Sequence, residues 1–276
     1  MLDPNIRFLI FGAAKSATTW LQRSLERSPT ISMPSPELHY FSDEYHRGAD
    51  WYLSQFDFSK PDAIVGEKSN TYLTQPEAAE RIRRDLPDVR LIVQMREPSA
   101  RAYSDYCMLL RRGEVSRNIE DHLDPAKAAG QRFINDGRYA MHLRRFYDLF
   151  PPEQILLLLF EDIRRQPENQ LARLATHIGH EAPLAPPLDS KVKDKNAAIV
   201  PLPLRKVLKP FRPVLDGVRH TRPMRVLRDA VARPQEYPPL SPDLEKRLQD
   251  FFAPEVSELE QRIGRPLDVW QGARKA

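Results

Sequence analysis

The chain of 276 residues contains little cysteine, little glycine and no long apolar segment. Its one cysteine, Cys107, excludes an intramolecular disulfide and favours a reducing compartment, where we expect it to be a buried, inert thiol. No window holds the roughly 20 apolar residues of a membrane span, and the N-terminus does not resemble a signal peptide. We therefore expect a cytoplasmic protein without a membrane span.

The chain contains three apolar runs, at 7–12 (RFLIFG), 89–95 (VRLIVQM) and 154–160 (QILLLLF). Each run is followed by a helical pattern, and shorter strand candidates lie at 30–33 and 63–68. This alternation predicts an α/β fold with a central parallel sheet flanked by helices. In such sheets ligands bind beyond the carboxyl ends of the strands, so the polar residues that follow each run are the candidates for a site.

From about residue 181 the composition changes. Residues 181–240 are proline-rich and carry no convincing strand, and 205–233 hold nine basic residues against two aspartates. This stretch is open to three interpretations: plain solvated surface, a lid over an acceptor, or a polyanion-binding segment. A final amphipathic helix at 241–264 is expected to pack on the sheet, with an interruption at Pro254. We expect one domain over 1–276.

A strand, a tight turn and a helix enclose the first chemical motif, which follows Gly12. Lys15 and the hydroxyls of Ser16, Thr18 and Thr19 stand where the amides of a helix N-terminus favour an anion. The alternative is that Ser16 only caps the helix while Lys15 is solvated. The loop lacks the second glycine of G-x-x-x-x-G-K-[ST], which argues against a P-loop kinase.

Two further stretches could handle protons. In PSPELHYF, an extended backbone would bring Glu37 and His39 to one face, where a carboxylate beside an imidazole can deprotonate an acceptor. Taken alone, an exposed glutamate and a core histidine are the commoner interpretation. In GEKSNTYL, Glu67 and Lys68 end a strand, and an exposed ion pair is the default there.

The last stretch, VQMREPSARAYSDY, follows the second apolar run. Arg96 follows the end of the strand, and its planar guanidinium has paired donors suited to a phosphate. Ser104 in the following helix can add a hydroxyl. A structural salt bridge is the alternative for Arg96. Four such stretches at strand ends together favour a site that handles phosphate and protons.

These motifs give the sequence its resemblance to a known family. GAAKSATTWL, LIVQMREPSARAYSDY, ELHYF and EKSNTY are similar to motifs of the sulfotransferases that use 3′-phosphoadenosine 5′-phosphosulfate (PAPS). The resemblance covers roughly 7–180 and 245–270 and is closest to the branch of the heparan sulfate O-sulfotransferases and their bacterial relatives. It implies a P-loop-like fold and a bacterial cytoplasmic enzyme.

The resemblance implies in-line transfer of a sulfuryl group from PAPS to a hydroxyl or amine, with 3′,5′-ADP as product and no metal. The acceptor would be a glycan or a small molecule, and no nucleic acid is expected. Glu37 would be the general base, His39 would place the acceptor or the sulfuryl group, and Lys68 would orient Glu37. Lys15 would stabilise the leaving phosphate.

The resemblance also implies a set of donor-binding residues. They are Ala14, Lys15, Ser16, Ala17, Thr18, Thr19, Arg96, Ser104, Tyr139, Lys193, Lys195 and Asn196. The last three come from SKVKDKNAAIVP (190–201), because the usual basic loop with a glycine is not clear in this chain. Ala13, Ala14 and Ala17 stand where many relatives carry glycine. The alternatives are a P-loop kinase and a non-catalytic polyanion-binding module.

Overall fold

A computed structural model describes residues 5–60, 62–188 and 235–272 of the chain. Its centre is a five-stranded, wholly parallel sheet in the order β2-β3-β1-β4-β5. The strands are β1 Ile6–Gly12, β2 Ile31–Ser32, β3 Ile64–Lys68, β4 Arg90–Met95 and β5 Ile155–Leu159. The predicted parallel α/β fold is confirmed, and each strand lies within or beside an apolar run.

Helices follow the strands along the chain. They are α1 Thr18–Leu25, α2 Gly48–Leu53, α3 Ala78–Asp85, α4 Pro98–Arg112, α5 Glu120–Leu123, α6 Pro125–Ala128, α7 Arg132–Asn135, α8 Tyr139–Tyr147, α9 Phe160–Arg165, α10 Pro167–Ile178, α11 Pro242–Ile263 and α12 Asp268–Gly272. Short 3₁₀ segments lie at Tyr45–Arg47, Asn70–Leu73 and Pro152–Gln154. Within these described ranges, no helix combines the length and apolar character that crossing a membrane requires.

Apart from exposed Arg7, strand β1 is apolar because both faces of the sheet are covered. Leu9 and Phe11 face a core built with aromatic rings such as Tyr52 and Tyr72. Phe8 and Ile10 face the opposite core, where α1 and α10 pack. Cys107 is buried in a third cluster around α4, as expected of an inert thiol.

The C-terminal helix differs from the prediction in two ways. Helix α11 runs unbroken from Pro242 to Ile263 through Pro254, and it packs mainly against α4 and α8. Pro254 is exposed, so water can bind the carbonyl that loses its helical partner, while buried Leu248 and Phe252 hold the helix in place. Those parts of 181–240 that the structure describes contain no strand, as predicted.

The sheet register places the candidate site. Ile10 of β1 pairs with Lys68 of β3, and the amide of Ser69 donates to the Ile10 carbonyl at 3.0 Å. The loop after β1 and the segment after β3 therefore leave the sheet side by side. A side chain at Gly12 would meet Leu73, because a Cβ built there lies 2.7 Å from the Cβ of Leu73.

Helix α4 carries a cap that can be tested. The Glu97 carboxylate accepts hydrogen bonds from the amides of Ser99 (3.0 Å) and Ala100 (2.6 Å). We expect Glu97→Ala to lower the unfolding free energy by about 1 kcal/mol, measured by urea denaturation. Glu77→Ala is the matched control, because Glu77 stands before α3 without a side-chain cap. Equal losses in the two variants would contradict the assigned cap.

A candidate anion and proton-transfer site at the carboxyl edge of the sheet

The loop between β1 and α1 is shaped to hold an anion. Lys15 (φ 69°) and Ala17 (φ 66°) are left-handed, and Ser16 between them is not. Such an alternation turns successive backbone amides towards one side, which makes a concave anion site. Buried Gln94 of β4 holds the loop, because its carbonyl accepts the Ala13 amide at 2.8 Å and its side-chain amide donates to the Ser16 carbonyl.

Ser16 does not cap the helix, so that alternative is wrong. Helix α1 has Ala17 at its N-cap and no side-chain cap bond. The Ser16 hydroxyl is buried and makes no hydrogen bond of 3.5 Å or less among the described residues, although it lies close enough to the Tyr139 hydroxyl to lower the pKa of that group. A buried hydroxyl with so weak a partner can still bind a ligand oxygen. Thr18 is buried beside it, while Ala14, Lys15 and Thr19 are half-buried.

Glu37 is held from two sides. The ammonium of Lys68 lies 2.6 Å from Oε1 of Glu37, and the amide of Asn70 donates to Oε2 at 3.0 Å. The side-chain amide of Asn70 reaches both oxygens, at 3.0 and 3.1 Å. Lys68 is only 5% exposed and Glu37 26%, so the default of an exposed ion pair at Lys68 is wrong. The carboxylate keeps an open side.

Opposing effects act on the acidity of Glu37. Burial alone would raise the pKa of Glu37, but the Lys68 charge and the Asn70 amide outweigh it, and the pKa is lowered. His39 is close enough for its charge to act in the same direction. Glu37 is therefore a carboxylate at neutral pH, ready to accept a proton.

His39 is not in an extended segment, contrary to the sequence-based expectation. Its φ is 53°, in the left-handed region, where histidine is among the more tolerated side chains. The segment after β3 nevertheless brings His39 to Glu37, since the His39 amide donates to Ser69 Oγ at 2.9 Å. The imidazole Nδ1 and Thr71 Oγ1 share a hydrogen bond of 2.9 Å.

The hydroxyls around His39 form a short chain. Ser42 Oγ lies 3.1 Å from the His39 carbonyl and 2.7 Å from Thr71 Oγ1. In the arrangement in which Ser42 donates to the carbonyl, Thr71 donates to Ser42 and accepts from Nδ1 of His39, and the lone pair of that tautomer is on Nε2.

Glu67 lies beneath this turn and is fully buried. Its Oε1 accepts from the hydroxyls of Tyr72 (2.6 Å) and Tyr52 (3.1 Å), and its Oε2 accepts from Ser69 (2.7 Å). Burial raises the pKa of Glu67 to about 7, against the opposing effect of these three hydrogen bonds. The pKa of Glu67 is thus raised, whereas that of Glu37 is lowered.

The third part of the site lies after β4. The guanidinium of Arg96 stacks over Phe160, 4.8 Å from the ring centroid, and no acidic side chain in the described part of the chain forms a salt bridge with it. The Tyr139 hydroxyl donates to the Arg96 carbonyl at 3.0 Å, and burial raises the pKa of Tyr139 to about 12. Ser104 is half-buried in the second turn of α4.

Some expected residues cannot be placed, and others were missed. Lys193, Lys195 and Asn196 lie outside the described residues, as does the basic stretch 205–233. Sequence reasoning missed Asn70, whose position three residues after Glu67 in a strand-end polar run was the available signal. In the described ranges no group of three or more metal-ligating side chains occurs.

The parallel sheet and the loop after β1 define an α/β protein of the P-loop-like class, and the carboxylate of Glu37 is held by Lys68 of the strand next to β1. The family model described as "Sulfotransferase domain" matches residues 5–196. The chain belongs to this family, which confirms the resemblance.

Individual relatives agree with this assignment. The chain is 30% identical over 174 residues to mouse heparan sulfate glucosamine 3-O-sulfotransferase 5, covering 59% of the chain and 50% of that protein. It therefore spans about half the length of that relative. It is 29% identical over 265 residues to human heparan sulfate glucosamine 3-O-sulfotransferase 6, covering 93% of the chain and 71% of that protein. The crystal structure of a sulfotransferase from Alicyclobacillus acidocaldarius matches with a TM-score of 0.71 at 26% identity, covering 98% and 100% of the two chains.

The raised pKa of Glu67 predicts a stability change with pH. Between about pH 4.5 and 7 the folded protein keeps a proton on Glu67 that the unfolded chain releases, so wild-type stability falls as pH rises through this window. Relative to Glu67→Gln, the wild type should lose roughly 3 kcal/mol of unfolding free energy between about pH 4.5 and 8.

Urea denaturation at several pH values measures this difference. Glu153→Gln, at an exposed position, controls for loss of a carboxylate and should track the wild type. A constant difference between wild type and Glu67→Gln across the pH range would contradict the raised pKa of Glu67.

Proposed function

We propose that the protein transfers a sulfuryl group from PAPS to a hydroxyl or amine of a glycan acceptor, releasing 3′,5′-ADP. The observation that carries the proposal is the ionised Glu37, held by Lys68 and Asn70 beside an anion-binding loop. The two motifs leave neighbouring strands of the same sheet edge. Family membership supports the same reaction class.

The donor side of the reaction would be managed by the loop after β1. The backbone amides around Ala14 and Ala17, with the hydroxyls of Ser16, Thr18 and Thr19, would hold the 5′-phosphate. Lys15 would neutralise the charge that develops there as the bond between sulfur and the bridging oxygen breaks. The buried Ser16 hydroxyl supports this assignment, because Tyr139 is its one nearby partner among the described residues and the hydroxyl can bind a further oxygen.

The acceptor side would be managed by Glu37 and His39. As the acceptor oxygen or nitrogen bonds to sulfur, its proton would pass to the Glu37 carboxylate. A lowered pKa makes Glu37 a weak base, which fits removal of the proton as the new bond forms rather than before. The imidazole of His39 would accept a hydrogen bond from a neighbouring hydroxyl of the acceptor and so align the reacting group.

The 3′-phosphate would be bound by Arg96 and Ser104, with Tyr139 lining the pocket. Tyr139 supports this arrangement, because its hydroxyl holds the Arg96 backbone at the end of β4. Lys193, Lys195 and Asn196 remain sequence-based candidates for the same phosphate. We propose that these cations neutralise the donor without a metal, and that the enzyme works in the cytoplasm.

A glycan acceptor is proposed because two relatives are heparan sulfate glucosamine 3-O-sulfotransferases. An open carboxylate and a half-buried imidazole fit a hydroxyl or amine presented at the surface of the protein. A small-molecule acceptor would give transfer to simple alcohols or phenols but none to heparan sulfate oligosaccharides.

Donor binding gives the first test. We expect 3′,5′-ADP at 100 times its dissociation constant to stabilise the protein by about 2.7 kcal/mol and raise the unfolding midpoint by several degrees. The same concentration of 5′-ADP with Mg²⁺ should give little shift, because it lacks the 3′-phosphate. Differential scanning fluorimetry measures both.

Lys15→Ala should remove most of the 3′,5′-ADP shift, while Lys246→Ala, on the exposed face of α11, should keep it. A shift with 5′-ADP alone would replace the proposal by a nucleotide kinase. No shift with either nucleotide would favour a non-catalytic module.

Catalysis gives the second test. Glu37→Gln keeps the shape of the side chain but cannot take a proton, so we expect turnover to fall by about 10²–10³. Transfer from PAPS to a heparan sulfate oligosaccharide, followed as 3′,5′-ADP release, measures this. Stabilisation by 3′,5′-ADP should be unchanged in the variant. Near-normal turnover would contradict the assignment of Glu37 as the general base. Glu80→Gln, at an exposed position of α3, is the control.

A further inference from the structure

The buried carboxylate of Glu67 is connected to His39 by a directed pair of hydrogen bonds. The hydroxyl of Ser69 has one proton, and it is donated to Oε2 of Glu67 at 2.7 Å. Its lone pairs are therefore available to accept the backbone amide of His39 at 2.9 Å. An ionised Glu67 fixes the direction of this chain and strengthens it, because charge-assisted bonds are the stronger ones.

The turn at His39 needs such support. A non-glycine residue at φ 53° occupies a sparsely populated conformation, which persists only where several contacts enforce it. The His39 carbonyl accepts the amides of Ser42 (3.2 Å), Asp43 (2.9 Å) and Glu44 (3.0 Å). The amide of His39 has Ser69 as its partner, so Ser69 holds the side of the turn that faces the sheet.

We propose that Glu67 is a positioning residue, whose carboxylate acts through Ser69 to hold His39 in the left-handed turn that places the imidazole beside Glu37. The role of His39 in this statement rests on the proposed function. The link from Glu67 through Ser69 to His39 is a feature of the described residues and can be tested without any substrate.

The groups that face Glu67 come from three directions. Tyr52 of α2 and Tyr72 of the 3₁₀ segment donate to it, and the charge of Glu37, itself paired with Lys68, acts on it from the turn. The pKa values of both tyrosines lie well above 10, and that of Glu37 is lowered. Of Glu67 and the two tyrosines, Glu67 is the group whose pKa, raised to about 7, lies near neutral pH.

The test follows the backbone amide of His39 by NMR in protein labelled only with ¹⁵N-histidine. The chain has 7 histidines, and the His39 signal is assigned by its absence from His39→Asn. In the wild type the amide shift should titrate with a midpoint near 7, the value to which the pKa of Glu67 is raised. Glu67→Gln should abolish that titration.

Tyr52→Phe separates Glu67 from the imidazole of His39 itself. Removing a hydroxyl that stabilises the Glu67 carboxylate should move the midpoint to higher pH, whereas titration of the imidazole would not follow Tyr52. Tyr147→Phe, a half-buried tyrosine that stacks with Arg262, is the matched control and should leave the midpoint unchanged. If Glu67→Gln does not fold, the change of the midpoint in Tyr52→Phe still shows whether the His39 amide follows the ionisation of Glu67.

A titration that persists in Glu67→Gln, or a midpoint unmoved by Tyr52→Phe, would overturn the proposal. So would a wild-type amide that does not titrate between about pH 5.5 and 8.5.

Kinetics add a readout that a merely structural role would not move. We expect Glu67→Gln to lower kcat about tenfold for transfer from PAPS to a heparan sulfate oligosaccharide, with the KM for PAPS unchanged. The wild-type kcat should rise with pH through the same midpoint, and the variant should lose that rise. An equal loss in kcat and in PAPS binding would indicate general damage and contradict positioning.

The two proposals fail separately. A wild type that neither transfers sulfuryl groups nor is stabilised by 3′,5′-ADP would refute the proposed function, and the amide midpoints would still decide the link from Glu67 to His39. A wild type that is active and binds 3′,5′-ADP, but has no coupled titration, would refute the link alone.

Discussion

The parallel pairing of β3 with β1 is the constraint on which the rest of the site depends. It sets Lys68 opposite Ile10, and from that register the loop proposed to bind the donor and the segment that holds Glu37 leave the sheet side by side. Because side chains alternate along a strand, Glu67 and Lys68 face opposite ways. Glu67 enters the aromatic core, while Lys68 reaches the carboxylate at the surface.

Two carboxylates at this strand end differ because their partners differ. Glu37 has a cation and an amide, and its pKa falls in spite of partial burial. Glu67 has only neutral hydroxyls, which do not offset complete burial, and its pKa rises to about 7. The folded protein is more stable when Glu67 is neutral, whereas the ionised form of Glu67 makes the stronger hydrogen bond to Ser69. Stability and positioning of His39 therefore respond to pH in opposite directions.

The sequence predicted the sheet well because buried parallel strands are continuous apolar runs. It also directed attention to the loops that form the candidate site, since ligand sites follow strand ends. It could not predict how the turn after Pro36 folds. The left-handed conformation of His39 depends on Ser69, which is 30 residues away in the chain. Asn70 likewise meets Glu37 only through the fold.

The expected break at Pro254 and the alternative that Ser16 caps α1 are wrong for one physical reason. A proline inside a helix and a serine before one are local signals, and local preferences amount to about 1–3 kcal/mol each. Tertiary packing outweighs them: buried Leu248 and Phe252 keep α11 continuous through Pro254. At the start of α1, the buried environment next to β4 turns Ser16 away from capping.

The scarcity of glycine in the anion-binding loop has a structural counterpart. Lys15 and Ala17 adopt positive φ without being glycine, a conformation that costs each of them on the order of 1 kcal/mol. Gln94 compensates, because its backbone and side chain together hold Ala13 and Ser16 against β4. This loop keeps its shape through contacts with a neighbouring strand, whereas a glycine-rich loop reaches such conformations through the freedom of glycine. In the proposed function, support from β4 stands in place of the second glycine.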